Sequence, residues 1–400
     1  MFLMKKYLSL PLITLLITAL TLVGCKDIGS IPGQQAEDNS AGNTVAESNK
    51  GARDTETAEA NTAATSTEAE DQTSAESGAP LEIHVLDVGH GDSILIKNNG
   101  HYMLVDAGQD DYGTRIQLYL MKQGVDHLDY LMLTHPDADH IGSADVIVTK
   151  FDIDNIFMSE YEKDSSTYSQ LLDALDNRNY SFSTPKRGST YTLGDATFTI
   201  LKSDVMEDSN DSSIVFMLTY NGTNILFMGD SEYLAEEELL DMGYDLDADV
   251  LKCGHHGSSD ATTEALLEAV TPEIALISCE LDGEYNHPHE ETLKRLENIG
   301  ATIYRTDNDG TIVLKFYNSD GDENEDTKIE TPGKEDASVE NYPELPDNIY
   351  VGNKNKMRLH KATCTSLPKE KNQVLFETLD EAIEAGFTED NECPNCKPFG

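Results

Sequence analysis

"LTHPDADHIGS" (Leu133–Ser143) places two imidazoles and two carboxylates, His135, Asp137, Asp139 and His140, within six positions. The run before it, "DYLMLT", is apolar enough to predict a buried strand. The four polar groups therefore emerge together at a strand end, where loops carry chemistry. A carboxylate-rich loop is often only a solvated turn, but here the pattern recurs. Asp230 follows the apolar "NILFM", and His255 and His256 follow "ADVLKC". Imidazoles and carboxylates together suit divalent cations. Two such ions about 3.5–4 Å apart, sharing one carboxylate, can activate a nucleophile and stabilise both attacking and leaving oxygens.

Outward from this stretch, strands and helices follow one another densely from residue 81 to 317. "LEIHVLDVG" reads as a strand, and "DSILIK" and "YMLVDAG" form a hairpin across "NNG". A second hairpin turns at Asn221-Gly222. "YSQLLDALDNR", "YLAEEELLDMG" and "HEETLKRLENIG" have helical spacing, the second stopped by Gly243. "TIYRTDNDGTIVLKF" reads as a closing hairpin. Such mixing of strands and helices predicts two sheets with helices packed outside them. His90 and Asp92 in "DVGHGDS" are expected in a tight strand-to-strand turn, because a lone G-x-G carries no nucleotide fingerprint.

Taken in order, "LDVGHGDSILI", "MLVDAG", "HPDADH", "FMGD" and "LKCGHHGSS" resemble the metallo-β-lactamase fold, and most of all the hydrolase domain of ComEC-type DNA-uptake competence proteins, over residues 81–316. The resemblance implies a four-layer αββα sandwich with a dinuclear site at one edge of the two sheets. It implies that His135, Asp137, Asp139 and His140 are the signature metal ligands. Asp230 would bridge both metals, and either His255 or His256 would be the last ligand. Asp137 stands where a second histidine is usual in the superfamily, though it agrees with the ComEC-like branch. The superfamily's middle histidine has no counterpart, since the region before "IVFML" offers only Asn210, Asp211 and Ser212. More oxygen and less nitrogen shifts preference from zinc towards manganese, so both metals stay open. The implied reaction is metal-assisted phosphodiester hydrolysis, with Asp139 in the catalytic centre and His287 of "EYNHPH" protonating the leaving oxygen.

Beyond an acidic stretch at 318–347, residues 348–400 form a compact tail. His360-x-x-x-Cys364 and Cys393-Pro-Asn-Cys396 are four ligands with zinc spacing. Residues 349–398 resemble the small metal-binding domain of the Ada DNA-repair proteins, with His360 in place of that family's first cysteine. That change implies a structural zinc in a small α+β module rather than a reactive thiolate. Lys354, Lys356, Arg358 and Lys361, with Lys369 and Lys371 nearby, make the densest basic cluster of the mature chain and are expected to meet phosphates.

The N-terminal end predicts export. "MFLMKKYLSLPLITLLITALTLVGC" has Lys5 and Lys6, an apolar stretch and then small residues. It is short for a membrane-spanning helix, and its "LVGC" ending resembles the bacterial lipoprotein box, which implies lipidation of Cys25. Residues 26–80 lack aromatic side chains and read as a disordered acidic tether. The whole chain of 400 residues has 28 basic and 74 acidic side chains, a formal charge of −46, which argues against coating nucleic acid through a basic face. Cys253 and Cys279 fall on expected strands as buried thiols, with a disulfide between them left open.

The expectation is thus a lipid-anchored, extracytoplasmic hydrolase with two divalent ions, zinc or manganese, and one structural zinc. It acts on nucleic acid, with a link to DNA uptake. Its rivals are an esterase of envelope phosphodiesters and a non-catalytic DNA-binding lipoprotein.

Overall fold

The computed structural model describes residues 79–317, 345 and 348–400. The expected signal segment, Cys25, the tether before Ala79 and the acidic stretch at 318–347, Leu345 apart, lie outside the described residues. No helix among the described residues is long and apolar enough to cross a membrane.

The first half of the fold is β1 (Leu81–Val85), β2 (Ile94–Asn98), β3 (His101–Val105), α1 (Gly113–Lys122), β4 (His127–Leu133), α2 (Ala138–Ile141), α3 (Ala144–Lys150), β5 (Asp152–Met158) and α4 (Ser166–Asn177). The second half begins with β6 (Thr190–Leu193), β7 (Ala196–Lys202), β8 (Val215–Tyr220) and β9 (Thr223–Phe227). It continues through α5 (Tyr233–Asp241), β10 (Val250–Lys252), α6 (Glu264–Val270), β11 (Ile274–Ile277), α7 (Glu290–Ile299), β12 (Thr302–Arg305), α8 (Thr306–Asp309) and β13 (Ile312–Phe316).

Two sheets result, ordered β13-β1-β2-β3-β4-β5 and β12-β11-β10-β9-β8-β7-β6. Their strands alternate between two buried faces, as the period-2 side-chain geometry of a strand requires. In β2, Ile94 and Ile96 join the core between the sheets while Leu95 packs outward. In β9, Ile225 and Phe227 face inward and Leu226 outward. At the centre, the rings of Phe216 and Phe227 stack with centroids 4.6 Å apart. Residues of α1, α3 and α4 cover the outer face of the first sheet, and those of α5, α6 and α7 cover the second. Burying each such Leu, Ile or Phe contributes roughly 1.5–3 kcal/mol. This is the expected four-layer αββα sandwich.

One expectation is corrected. "TIYRTDNDGTIVLKF" is no hairpin: β12 pairs in parallel with β11 in the second sheet, while β13 pairs antiparallel with β1 in the first. The helical turn α8 and Gly310 separate the two strands and carry the chain from one sheet to the other. Asp309 accepts the Arg305 N–H at 2.8 Å, which closes that turn.

The tail is β14 (Tyr350–Asn353), β15 (Arg358–Lys361), β16 (Gln373–Phe376) and α9 (Leu379–Glu384), with its strands ordered β15-β14-β16. It packs on the α1–α3 face of the sandwich. Val146 of α3 joins the tail's apolar cluster with Leu359, Val374, Phe376, Ala382 and Phe387. Gln117 of α1 accepts the Leu375 N–H at 2.8 Å, and Lys150 pairs with Glu381 at 2.6 Å.

Candidate metal centre

The site forms where β3, β4, β9, β10 and β11 end together at one edge of the two sheets. Asp106, directly after β3, adopts φ 58°, a left-handed conformation that aspartate tolerates better than most residues. Its Oδ1 accepts the Thr134 N–H at 2.8 Å, and its Oδ2 accepts the Thr134 hydroxyl at 2.7 Å and the His140 Nδ1–H at 2.8 Å. An ionised carboxylate only accepts, so His140 carries its proton on Nδ1 and turns the Nε2 lone pair towards the cleft.

The same logic orients two more imidazoles. His256 Nδ1 lies 3.1 Å from the Ser278 carbonyl and donates to it. Thr134 gives its hydroxyl hydrogen to Asp106, so at 3.1 Å it accepts from His135 Nδ1. Three Nε2 lone pairs are left facing inward. His135 Nε2 and Asp230 Oδ1 are buried with no hydrogen-bond partner.

These lone pairs crowd against carboxylates. Asp230 Oδ2 lies 3.1 Å from His140 Nε2, 3.3 Å from His256 Nε2 and 3.8 Å from His135 Nε2. Asp139 Oδ2 lies 3.3 Å from His256 Nε2, and the Nε2 atoms of His140 and His256 are 3.3 Å apart. Donor atoms of Asp139, His140, Asp230 and His256 all fall within 4.8 Å of one another. Adjacent to them, His135 Nε2 is 4.0 Å from Asp137 Oδ1, giving a second group that shares Asp230. Lone pairs without a hydrogen between them repel, and buried anions without a counter-charge are costly. The set therefore fits cations: four donors for one ion, and His135, Asp137 and Asp230 for another.

The electrostatics point the same way. Burial opposes charge on His140 and His256, yet Asp230 and the neighbouring carboxylates hold His140 well above its ordinary value and His256 at about 9, so without an ion a proton occupies the Nε2 that an ion would otherwise take. Burial likewise opposes charge on Asp230, but the same two imidazoles keep it well below the usual carboxylate range. The site demands positive charge at its centre.

Of the two neighbouring histidines, only His256 enters this group. Both have left-handed backbones, φ 43° at His255 and φ 53° at His256, which turn their side chains apart. His255 Nδ1 instead faces Glu232 Oε1 at 2.9 Å, so of the two alternatives it is His256 that stands with the other donors. The candidates for the missing middle histidine are engaged elsewhere as well. Asn210 donates to Glu232 at 3.0 Å, Asp211 accepts N–H groups of Glu232 and Ala235 at the start of α5, and the Ser212 hydroxyl donates to the Asp208 carbonyl at 2.6 Å. It is Ser213 that stands beside the site, its hydroxyl 3.3 Å from His135 Nδ1 and accepting the Asp230 N–H at 3.1 Å. Asp137 accepts Lys163 at 2.5 Å and the Ser209 hydroxyl at 2.7 Å.

His90 and Asp92 lie in the expected connection between antiparallel β1 and β2, and both also reach the site. Gly91, at φ 128°, brings the turn so close that a Cβ there would overlap the Asp139 carbonyl oxygen. His90 then packs against His256 with centroids 4.3 Å apart and ring planes tilted by 56°, its Nε2 3.4 Å from Asp139 Oδ2. Asp92 pairs with buried Lys252 at 2.8 Å beneath the site. The signal available in sequence was a polar "HGD" directly after an apolar strand, the pattern already used for the other clusters.

Above the metal centre lies a cleft of about 750 Å³. His90, Tyr285 and His287 line one part of it, with the His287 ring 5.2 Å from that of His255. Burial, together with the surrounding imidazoles, pushes His287 down to about 3, so the ring is uncharged at neutral pH. Its Nδ1 has no hydrogen-bond partner.

In the tail, the ligand atoms of His360, Cys364, Cys393 and Cys396 also lie within 4.8 Å of one another. Cys364 and Cys393 are 3.8 Å apart at sulfur, far beyond a disulfide bond, and the Lys361 N–H donates to Cys396 Sγ at 3.3 Å. Lys356 and Arg358 are exposed. Lys354 differs from its expected role: it is almost buried and held between Asp145 at 2.8 Å and Asp110 at 3.3 Å. Cys253 and Cys279 are both buried and free.

Residues 86–280 match the metallo-beta-lactamase superfamily. The chain is 28% identical to ComE operon protein 3 of Bacillus subtilis (strain 168) over 260 residues, 60% of this chain and 34% of that protein. It is 29% identical to competence protein ComA of Neisseria gonorrhoeae over 234 residues, 58% of this chain and 31% of that one. It thus spans about a third of the length of these curated relatives. Among solved structures, the metallo-beta-lactamase fold protein YhfI of Bacillus subtilis matches at a TM-score of 0.41 and 15% identity, covering 59% of this chain and 99% of that one.

Proposed function

Since residues 86–280 form a metallo-beta-lactamase superfamily domain, a hydrolase fold, we propose that this protein is a metal-dependent phosphodiesterase that cleaves nucleic acid. The observation that carries the reading is the convergence of three Nε2 lone pairs on Asp139 and Asp230 at the floor of an open cleft. Zinc or manganese bound there would supply an activated nucleophile and neutralise charge on the phosphoryl oxygens. The chain's own residues do the rest. Asp106, Ser278 and Thr134 orient the ligating imidazoles, and Asp230 is shared between the two donor groups. His287 extends an uncharged ring into the cleft, placed to hydrogen-bond the leaving oxygen.

The resemblance of the motifs to the hydrolase domain of DNA-uptake competence proteins supports nucleic acid as substrate. Exposed Lys356 and Arg358, with Lys361, would add phosphate contacts at the tail, whose four ligands suit a structural zinc. The "LVGC" ending at Cys25 supports a lipid-anchored, extracytoplasmic location. A second reading, a phosphodiesterase of small envelope components, is favoured by the excess of carboxylates over basic side chains among the cleft-lining residues, which disfavours a long polyanion.

The test is incubation of the purified protein with single-stranded and linear duplex DNA, and with a small chromogenic diester, in Mn²⁺, Zn²⁺ or chelator. DNA cleavage that needs metal and vanishes in Asp139→Ala supports the nuclease. Cleavage of the small diester alone transfers the assignment to the envelope reading. DNA retained but never cut by any metal form leaves a binding protein.

A further inference from the structure

Among the residues lining the catalytic cleft, one lysine and no arginine stands against seven carboxylates, and that lysine, Lys371, belongs to the tail rather than to the hydrolase domain. Ions bound at the floor would offset Asp139 and Asp230, and Lys163 pairs with Asp137 at 2.5 Å. Of the other four, Asp110 and Asp111 face Lys371 Nζ at 3.3 and 3.8 Å, and Asp110 also faces Lys354 at 3.3 Å, so the tail's ammonium groups offset the negative charge on this wall.

The placement is built from both sides. The turn that carries Lys371 (Glu370–Asn372) is fixed by the Thr114 hydroxyl, which donates to the Glu370 carbonyl at 3.1 Å, and by Gln117, which accepts the Leu375 N–H. The segment it faces is tied to the metal-ligand loop. Ser143 donates to the Gln109 carbonyl at 2.6 Å, and Ala107 N–H donates to the His140 carbonyl at 2.7 Å. Docking of the tail does not depend on Lys371, because the apolar cluster around Val146 and the Lys354–Asp145 and Lys150–Glu381 pairs already hold it. With 42% of its side chain exposed, Lys371 gains little stability from its two ion pairs.

We propose that Lys371 is a substrate-positioning residue: the tail completes the wall of the active-site cleft and presents this ammonium to a phosphate flanking the scissile one. The inference rests on the phosphodiesterase reading and sharpens it, since a substrate with consecutive phosphates gains a contact that an isolated small diester lacks. A cleft of about 750 Å³ lies in the upper part of the roughly 300–1,000 Å³ range of ligand sites, with room beyond one phosphate.

The experiment uses the full-length protein in Mn²⁺ and a fluorescein-labelled dT12, with phosphorothioate linkages for binding by anisotropy and unmodified linkages for KM and kcat. Lys371→Ala is expected to weaken binding and raise KM about fivefold with little change in kcat. It should also lower the slope of log affinity against log salt by about 0.7, one phosphate contact on a single strand. Lys371→Arg, which keeps the charge, should stay near wild type. Lys294→Ala, a surface lysine of α7, is the control. Lys371→Ala indistinguishable from Lys294→Ala, or Lys371→Arg as impaired as Lys371→Ala, overturns the proposal. So does a wild-type protein that fails to bind the oligonucleotide. If binding depends on Lys371 but unmodified dT12 is never cut, the positioning role stands and the nuclease reading falls.

Discussion

Asp106 Oδ2 accepts the Nδ1–H of His140 at 2.8 Å, and both side chains are entirely buried. Asp106 also lies with Asp92 and His140 in a buried group whose donor atoms fall within 4.8 Å of one another, but both its oxygens are engaged by Thr134 and His140. It decides which nitrogen of His140 is free to bind a metal.

Asp106→Asn should therefore lower metal affinity by about 10–100-fold, the usual effect of removing a ligand's orienting partner. The fold should survive, because Thr134 keeps a hydrogen-bonding neighbour. Metal titration by calorimetry beside a circular-dichroism spectrum checks both halves. Unchanged affinity would mean that His140 needs no partner to present Nε2.

His256→Ala and His255→Ala should behave differently although the residues are adjacent. The first removes a donor from the four-residue group and should lose bound metal and nearly all turnover. The second removes only the Glu232 contact and should retain its metal. Metal content of the purified variants by elemental analysis separates them.

Chelation should act on the two halves of the molecule unequally. The sandwich has three large apolar clusters of its own, whereas the tail has only two small ones and a group, His360, Cys364, Cys393 and Cys396, that would be tied by an ion. Small metal-tied modules fold with their ion. With excess chelator, amides of 349–400 should lose hydrogen-exchange protection while β1–β13 remain protected. Cys393→Ser should reproduce the effect without chelator.

His84 offers a pH test away from the metals. Burial pulls its imidazole below the ordinary value despite the hydrogen bond to Glu82, so the folded ring is neutral where the unfolded one is protonated. Its contribution to stability is complete above about pH 6.5 and is lost as pH falls below that value. His84→Gln should flatten that part of the stability curve measured by urea unfolding. An identical slope in wild type and variant would rule out His84 as its source.

Local patterns made much of the architecture legible. The Asn221-Gly222 hairpin forms where it was expected because its left-handed turn, φ 50° and 84°, is encoded by two adjacent residues. The ligand cluster at 135–140 was visible because four ligands share one loop. The pairing of β12 and β13 was not, because "TIYR" and "TIVLKF" are equally good strands and only the positions of β11 and β1 assign them to different sheets.

The sequence by itself determined the element types, the polar clusters at strand ends and the four tail ligands, all properties of residues close together in the chain. Tertiary structure alone decided that His256 rather than His255 faces Asp230, that His90 joins the centre, that Lys354 is held by Asp145 while Lys371 reaches the cleft, and that Asp106 sets the tautomer of His140. The physical reason is the same each time. Which side chain meets which charge depends on backbone direction at a turn and on packing between segments up to 260 residues apart, such as Asp111 and Lys371. No local pattern carries that information.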